Sequence, residues 1–186
     1  KLSVTGSVNA KNFSCENVSV TGKTELADSS IQDTTHITGK TTITDSSLKT
    51  LEVTGKAIVK NSSVQTASVT GSTHFTNVKA TDIQTTGSLN ATKTSAQTCT
   101  IVCDNVVFTD CTIETLYVKK QSTIKIFGWT FSGSDKNLKT TVTIYNSPKT
   151  PEHRIKRIVC DDPSTIIMYK DDSVRAQEIV GTTNVA

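Results

Sequence analysis

Apolar and polar residues alternate along the first two thirds of the chain in copies of one short repeat. The fourth residue after each repeat glycine is apolar in every copy, as Leu26, Ile43 and Phe75 illustrate. Within a copy, apolar residues alternate with Ser, Thr or Lys, the two-residue period of a strand with one buried face. The glycines are spaced 16, 17, 16, 16 and 16 residues apart, at Gly6, Gly22, Gly39, Gly55, Gly71 and Gly87. A repeat this short predicts one turn of a parallel β-helix, hereafter a coil.

Two polar columns support the stacking of like residues over like. A threonine precedes each glycine, at Thr5, Thr21, Thr38, Thr54, Thr70 and Thr86. Such a ladder suits stacked strands, because threonine is β-branched and its hydroxyl can bond to a neighbouring rung. Six residues after the glycine stand Asn12, Asp28, Asp45, Asn61 and Asn77, followed in the next copy by Lys93. Asn and Asp tolerate left-handed backbone, so this column predicts a corner.

The sequence divides into two regions. The repeat predicts that residues 1–118 form an all-β solenoid of about seven coils, for which we expect right-handed winding. From Lys119 the period is lost, although short alternating stretches continue, and Ser173–Val180 suggests a short helix. We expect residues 119–186 to form a β-rich C-terminal cap or interaction region that covers the open end of the solenoid.

Composition narrows the function classes. A hydrophobic content of 34% with 5% aromatic residues fits a narrow solenoid core. The net charge of +3 is small and dispersed, so a nucleic-acid partner is not expected. The sequence has no apolar run of 18 residues and hence no candidate transmembrane segment.

The cysteines and histidines do not form a recognisable site. Cys15 and Cys99 fall in apolar columns and are expected to be structural thiols, while Cys103, Cys111 and Cys160 leave open one disulfide. The spacing of the cysteines does not suit zinc, and the three histidines are scattered, so we expect neither a metal nor a cofactor.

Several residues are candidates for binding a partner. Lys23, Lys40 and Lys56 follow their glycines in three consecutive coils and form a basic stripe, which is either a solvated face or a binding site for acidic glycans or an anionic surface. Trp129 is expected in the core of the cap, with a sugar platform as the alternative.

A carbohydrate-active β-helix enzyme is the third candidate function. It requires a cleft between the C-terminal region and the last coils, where a dense charged group is formed by Arg154, Arg157, Asp161 and Asp162. We expect no catalytic residues, because the tight repeat predicts no cleft in residues 1–118.

The phrases Val4-Thr5-Gly6, Val20-Thr21-Gly22 and Val53-Thr54-Gly55 resemble the repeats of bactofilins, and similar repeats occur in phage tail fibres and bacterial adhesins. An adhesin resemblance implies an exported or surface-exposed bacterial or phage protein that binds a protein or glycan. A bactofilin resemblance implies a cytoplasmic, membrane-associated filament formed through the solenoid ends. We expect the first, a non-enzymatic structural or adhesive protein, and keep the filament scaffold as the alternative.

Overall fold

A computed structural model describes residues 1–119, 124–126, 129–131, 140–150 and 152–186. In these residues the chain is all-β, without a helix. Its strands are β1 (Leu2–Lys11), β2 (Ser14–Cys15), β3 (Val18–Ala27), β4 (Ser30–Thr44), β5 (Ser47–Lys60), β6 (Ser63–Thr76), β7 (Lys79–Thr92), β8 (Ser95–Thr109), β9 (Thr112–Val118), β10 (Ile124–Ile126), β11 (Trp129–Phe131), β12 (Thr141–Tyr145), β13 (Ile155–Cys160), β14 (Ile166–Tyr169) and β15 (Glu178–Val180).

Successive coils stack in parallel and in the register that the repeat predicts. Gly39 pairs with Gly22 on one side and with Gly55 on the other. This confirms the prediction of a parallel β-solenoid of about seven turns with roughly 16 residues per coil. Neighbouring coils are therefore separated by roughly 4.8 Å, the usual spacing of paired strands.

Each coil has three sides, joined by a glycine bend, an Asn or Asp corner and a third bend. In one coil the first side comprises residues 56–60 and ends at the corner residue Asn61. A short side then covers residues 63–65, and the last side covers residues 66–70 and ends at Gly71. The corner prediction is confirmed, since all five predicted corner residues have φ between 48° and 53°, as do Lys93 and Asp110 at 49°.

The core is one continuous column of inward-facing side chains. Ile43, Val59 and Phe75, which stack in consecutive coils, are each at most 1% exposed. Ser29, Ser46 and Ser62 follow the corners and are also buried. The backbone N–H of Ser46 donates to Ser62 Oγ at 3.1 Å, and the Ser46 hydroxyl donates to the carbonyl of Thr44 at 2.7 Å. Serine thereby satisfies polar backbone groups inside the corner.

The regular repeat is interrupted at two places, and at each of them the register between neighbouring strands shifts. In the 17-residue coil the register shifts between Ile31 and Thr34, so the additional residue is accommodated at the third bend. In β8 the glycine bend is occupied by Cys103, and the register shifts by one residue immediately after it. A non-glycine residue does not readily adopt the backbone of this bend, whose glycines have φ between 120° and 138°.

The strands after the predicted boundary at residue 118 extend the same parallel sheet. β12 pairs with β8, β13 with β9, β14 with β12, and β15 with β13. The C-terminal region is thus β-rich, but its strands from Thr141 onward stack as further turns with longer connections. The predicted short helix at Ser173–Val180 is wrong, because Glu178–Val180 is strand β15 and pairs with Arg157–Val159.

Candidate functional site: the short face of the solenoid

A groove follows the short sides of four consecutive coils. Each coil supplies three residues: a polar residue after the corner, an inward apolar residue, and a polar residue at the third bend. The contributing segments are Ser30-Ile31-Gln32, Ser47-Leu48-Lys49, Ser63-Val64-Gln65 and Lys79-Ala80-Thr81. The groove has a volume of about 520 Å³ and is open to solvent. We call it the short-face groove.

Hydroxyl and amide groups dominate the short-face groove. Ser30, Ser47 and Ser63 are exposed, and so are Gln32 and Gln65. The Lys49 ammonium lies 3.6 Å from Asp33 Oδ1, which partly balances its charge. The apolar residues between them, Ile31, Leu48 and Val64, are 1–4% exposed. The groove therefore presents rows of hydrogen-bonding groups that repeat once per coil.

A second cavity, the end pocket, continues the short-face groove toward the C-terminal strands. Its volume is about 280 Å³, and it shares Lys79 with the groove. The other lining residues are Asn77, Lys93, Thr94, Ser95, Asp110, Thr112 and His153. His153 is positioned by the connection after β12: the Thr112 hydroxyl donates to the carbonyl of Glu152 at 3.4 Å, and the N–H of Ile113 donates to the carbonyl of Arg154 at 3.0 Å.

The predicted basic stripe is present as a stack on a different side. Lys23 pairs in register with Lys40, and Lys40 pairs with Lys56. Lys23 Nζ lies 2.6 Å from Glu25 Oε1, and this ion pair lowers the pKa of Glu25. One of the three charges is therefore already compensated. Whether the stripe binds a partner stays a prediction.

The charged residues near the C terminus are distributed along strand β13 and its flanking segments. Arg154 precedes β13, whereas Asp161 and Asp162 follow it, so the strand separates them. Arg157 forms an ion pair with Glu178 in the neighbouring strand at 3.0 Å. Asp162 accepts hydrogen bonds from the backbone N–H and the hydroxyl of Ser164, which makes it a turn residue. The side chain of Trp129 lies outside the described residues, so its role stays a prediction.

The cysteines are structural in the part of the chain that is described. Cys111 and Cys160 are buried free thiols, so no disulfide joins any two of the three late cysteines. Burial raises the pKa of both thiols to about 11. Cys99 is fully buried, and its pKa is raised further for the same reason. No group of three or more His, Cys, Asp or Glu within the described residues could hold a metal ion.

Comparison with known proteins found no family model, no curated protein and no solved structure that matches this chain. The structure itself establishes the fold class, which is a parallel β-solenoid. The likeness to bactofilins, tail fibres or adhesins stays a prediction. The described part of the chain contains no helix that is long and apolar enough to cross a membrane.

Sequence reasoning did not select the end pocket as a site, although two signals for it are present. Lys79 interrupts a column in which Ser30, Ser47 and Ser63 directly precede it and Ser95 and Thr112 follow it. Lys93 interrupts the Asn and Asp corner column. Both departures occur in adjacent coils and line one cavity. The contribution of His153 had no signal of its own, because it depends on where the connection after β12 lies.

Proposed function

We propose that this chain is a non-enzymatic β-solenoid that binds a glycan along the short-face groove. The observation that supports this proposal is the row of exposed polar side chains along four coils, which includes Ser in three coils and Gln in two. An exported or surface-exposed location would bring such a groove into contact with glycans.

The composition of the groove favours a glycan over a protein partner. Protein interfaces are enriched in Tyr, Trp, Phe, Met and Arg, and none of these is among the described residues that line the groove. Hydroxyl and amide side chains both donate and accept hydrogen bonds, which suits a partner rich in hydroxyl groups. Hydrogen-bonding side chains recur at the same two positions of each coil, which suits an extended partner made of repeating units.

The proposal is tested by calorimetric titration of the intact chain with a panel of soluble oligosaccharides. The test variant is Ser63→Ala with Gln65→Ala, which removes one hydroxyl and one amide from the middle of the groove. Each lost hydrogen bond is worth about 1 kcal/mol, so affinity should fall about tenfold or more.

The matched control is Ser68→Ala with Thr70→Ala, which removes two exposed polar groups from another side of the same coil. Its affinity should equal that of the parent. The proposal fails when no oligosaccharide binds, or when the control loses as much affinity as the test variant.

A filament scaffold remains the second candidate, and the first coil is the observation that favours it. β1 has a strand partner only on the β3 side in the described structure. Leu2, Val4, Val8 and Phe13 are only partly buried, whereas Val18 and Val20 in the next coil are 1% exposed. An uncovered parallel edge of this kind can pair with another chain. Light scattering of the intact chain tests this alternative, because a scaffold should form polymers as concentration rises.

A further inference from the structure

We propose that the end pocket binds a singly charged oxyanion, a carboxylate or a sulfate ester, carried by the glycan that occupies the short-face groove. The part of this inference that names a glycan as the molecule carrying the anion rests on the proposed function. The part that names an anion rests on the residues of the end pocket. The two cavities meet at Lys79, so one extended ligand can occupy both.

The positive charge of the end pocket comes from Lys79 and Lys93. Within the described residues, neither ammonium group lies within 4.0 Å of a carboxylate, unlike Lys23 and Lys49. Among the described residues, Asp110 is the one acidic residue that lines the pocket, and its Oδ1 accepts the backbone N–H of Ser147 at 2.9 Å. Two lysines and one carboxylate leave a formal charge of +1, which matches a singly charged group.

Neutral donors can complete the coordination of an oxyanion. Ser95 supplies a hydroxyl group, and Asn77 supplies an amide. His153 also lines the pocket, and its Nδ1 atom is shielded from solvent without a hydrogen-bond partner among the described residues.

The backbone conformation at Lys93 is a further argument that this lysine has a role in binding. Lys93 has φ of 49°, in the left-handed region that favours Gly, Asn and Asp. Asn occupies the equivalent corner at three other coils, namely Asn12, Asn61 and Asn77. A less favourable residue at a corner that the rest of the chain builds with Asn or Asp indicates a role other than folding.

Lys79 and Lys93 can each be replaced by the residue that other coils have at the same position, and such variants should keep the fold. Lys93→Asn restores a residue used at other corners, and Lys79→Ser restores the residue of four other coils in its column. The control is Lys40→Ser with Lys56→Ser, which changes the net charge equally and also introduces the residue found at Ser72 and Ser88 in that column.

The experiment compares three oligosaccharides of equal length, one neutral, one with uronate carboxylates and one with sulfate esters, by calorimetry at low salt. The intact chain should bind one acidic oligosaccharide at least tenfold more tightly than the neutral one. Which acidic oligosaccharide is preferred identifies the anion. Lys79→Ser with Lys93→Asn should abolish the preference, and the control pair should retain it.

Other results would overturn the inference: no preference for either acidic probe, a preference that survives in Lys79→Ser with Lys93→Asn, or equal loss in the control pair.

A second measurement separates this failure from that of the proposed function. Acetate and methyl sulfate ions are titrated while the NMR resonances of His153 are followed. A shift that disappears in Lys79→Ser with Lys93→Asn supports the pocket, even when no oligosaccharide binds and the glycan function fails. Neutral binding that depends on Ser63 and Gln65 but not on the lysines supports the proposed function alone.

Discussion

At the scale of single residues, the glycine column is required by two separable effects. The bend glycines share a positive φ, which disfavours any residue with a Cβ. Inside the stack there is also a steric restriction, since a Cβ on Gly55 would lie 2.2 Å from the carbonyl oxygen of Gly39. Gly6 in the first coil has a φ of 127° but no atom within 4 Å of an added Cβ. The chain therefore contains a matched pair that separates backbone conformation from stacking.

We predict that Gly55→Ala destabilises the protein by several kcal/mol, because both effects apply and backbone atoms cannot move aside cheaply. Gly6→Ala should cost only about 1–2 kcal/mol, since the conformational effect alone remains. Chemical denaturation of both variants checks this prediction. Equal losses would show that the contact between stacked glycines has no energetic role.

The buried thiols predict a dependence of stability on alkaline pH. Burial raises the pKa of Cys111 to about 11, whereas a cysteine in the unfolded chain titrates near 8.5. Between these values the unfolded state has lost its proton and the folded state has kept it, so unfolding becomes more favourable as pH rises. The stabilisation due to this group is complete below about pH 8 and is lost progressively up to about pH 11.

We predict that Cys111→Ser reduces this loss by about 1.4 kcal/mol per pH unit between pH 9 and 11. At neutral pH the variant should fold normally, because Cys111 occupies the position that Ser29, Ser46 and Ser62 have in other coils. Its hydroxyl can donate to the carbonyl of Thr109, which already accepts the Cys111 thiol. Urea unfolding at a series of pH values measures both quantities. Parallel curves for parent and variant would contradict the prediction.

At the scale of the strand, burial alternates from one residue to the next. Ile43 in β4 is fully buried and stacks between Leu26 and Val59, whereas Thr42 beside it is partly exposed. We predict that Ile43→Asp unfolds the protein or destabilises it by more than about 4 kcal/mol, because an unpaired buried charge has no compensating partner. Thr42→Asp should cost less than about 1 kcal/mol, with its proximity to Glu25 as the main penalty. Thermal unfolding followed by circular dichroism distinguishes the two. Similar losses would mean that the assigned faces are reversed.

Most of the coil could be predicted from the sequence, because identical residues must occupy identical places in a stacked repeat. Gly39, Asp45 and Ile43 each identify one bend, one corner and one core position, and the structure agrees at all three. Buried threonines were harder to foresee. Thr24, Thr41 and Thr73 are fully buried, and their hydroxyls have no partner among the described residues. Each lies two residues before a core residue and so shares its face, whereas side-chain polarity alone would place it outward.

Beyond residue 118 the same reasoning fails, because connections of unequal length remove the fixed period. Ile155 returns to the position above Ile113 only because the backbone of β13 pairs with β9. His153 reaches the end pocket through this non-local pairing, which no spacing in the sequence records. The two lysines of the pocket were visible as exceptions within columns, but an exception indicates a site only when the structure shows what lies beside it.

At the scale of the whole molecule, the C-terminal strands decide whether the solenoid end is covered. β12 and β13 pair with β8 and β9, whose Val106, Phe108 and Leu116 are 0–1% exposed. A chain of residues 1–118 would expose this apolar edge together with the uncovered edge of β1. The two edges are opposite ends of one parallel stack, so head-to-tail contacts could continue without closure.

We predict that residues 1–118 polymerise and that the intact chain does so much less, because in the intact chain one of the two edges is covered. Light scattering with small-angle X-ray scattering at a series of concentrations measures mass and shape, and circular dichroism checks that the shortened chain retains its strands. Val8→Lys in the shortened chain should suppress polymerisation, since it places a charge in the partly buried first coil. Monomers from the shortened chain would remove the covering role of β12–β15. Polymers of defined width from the intact chain would favour the filament scaffold over the glycan-binding protein, because the first coil would then be an interface.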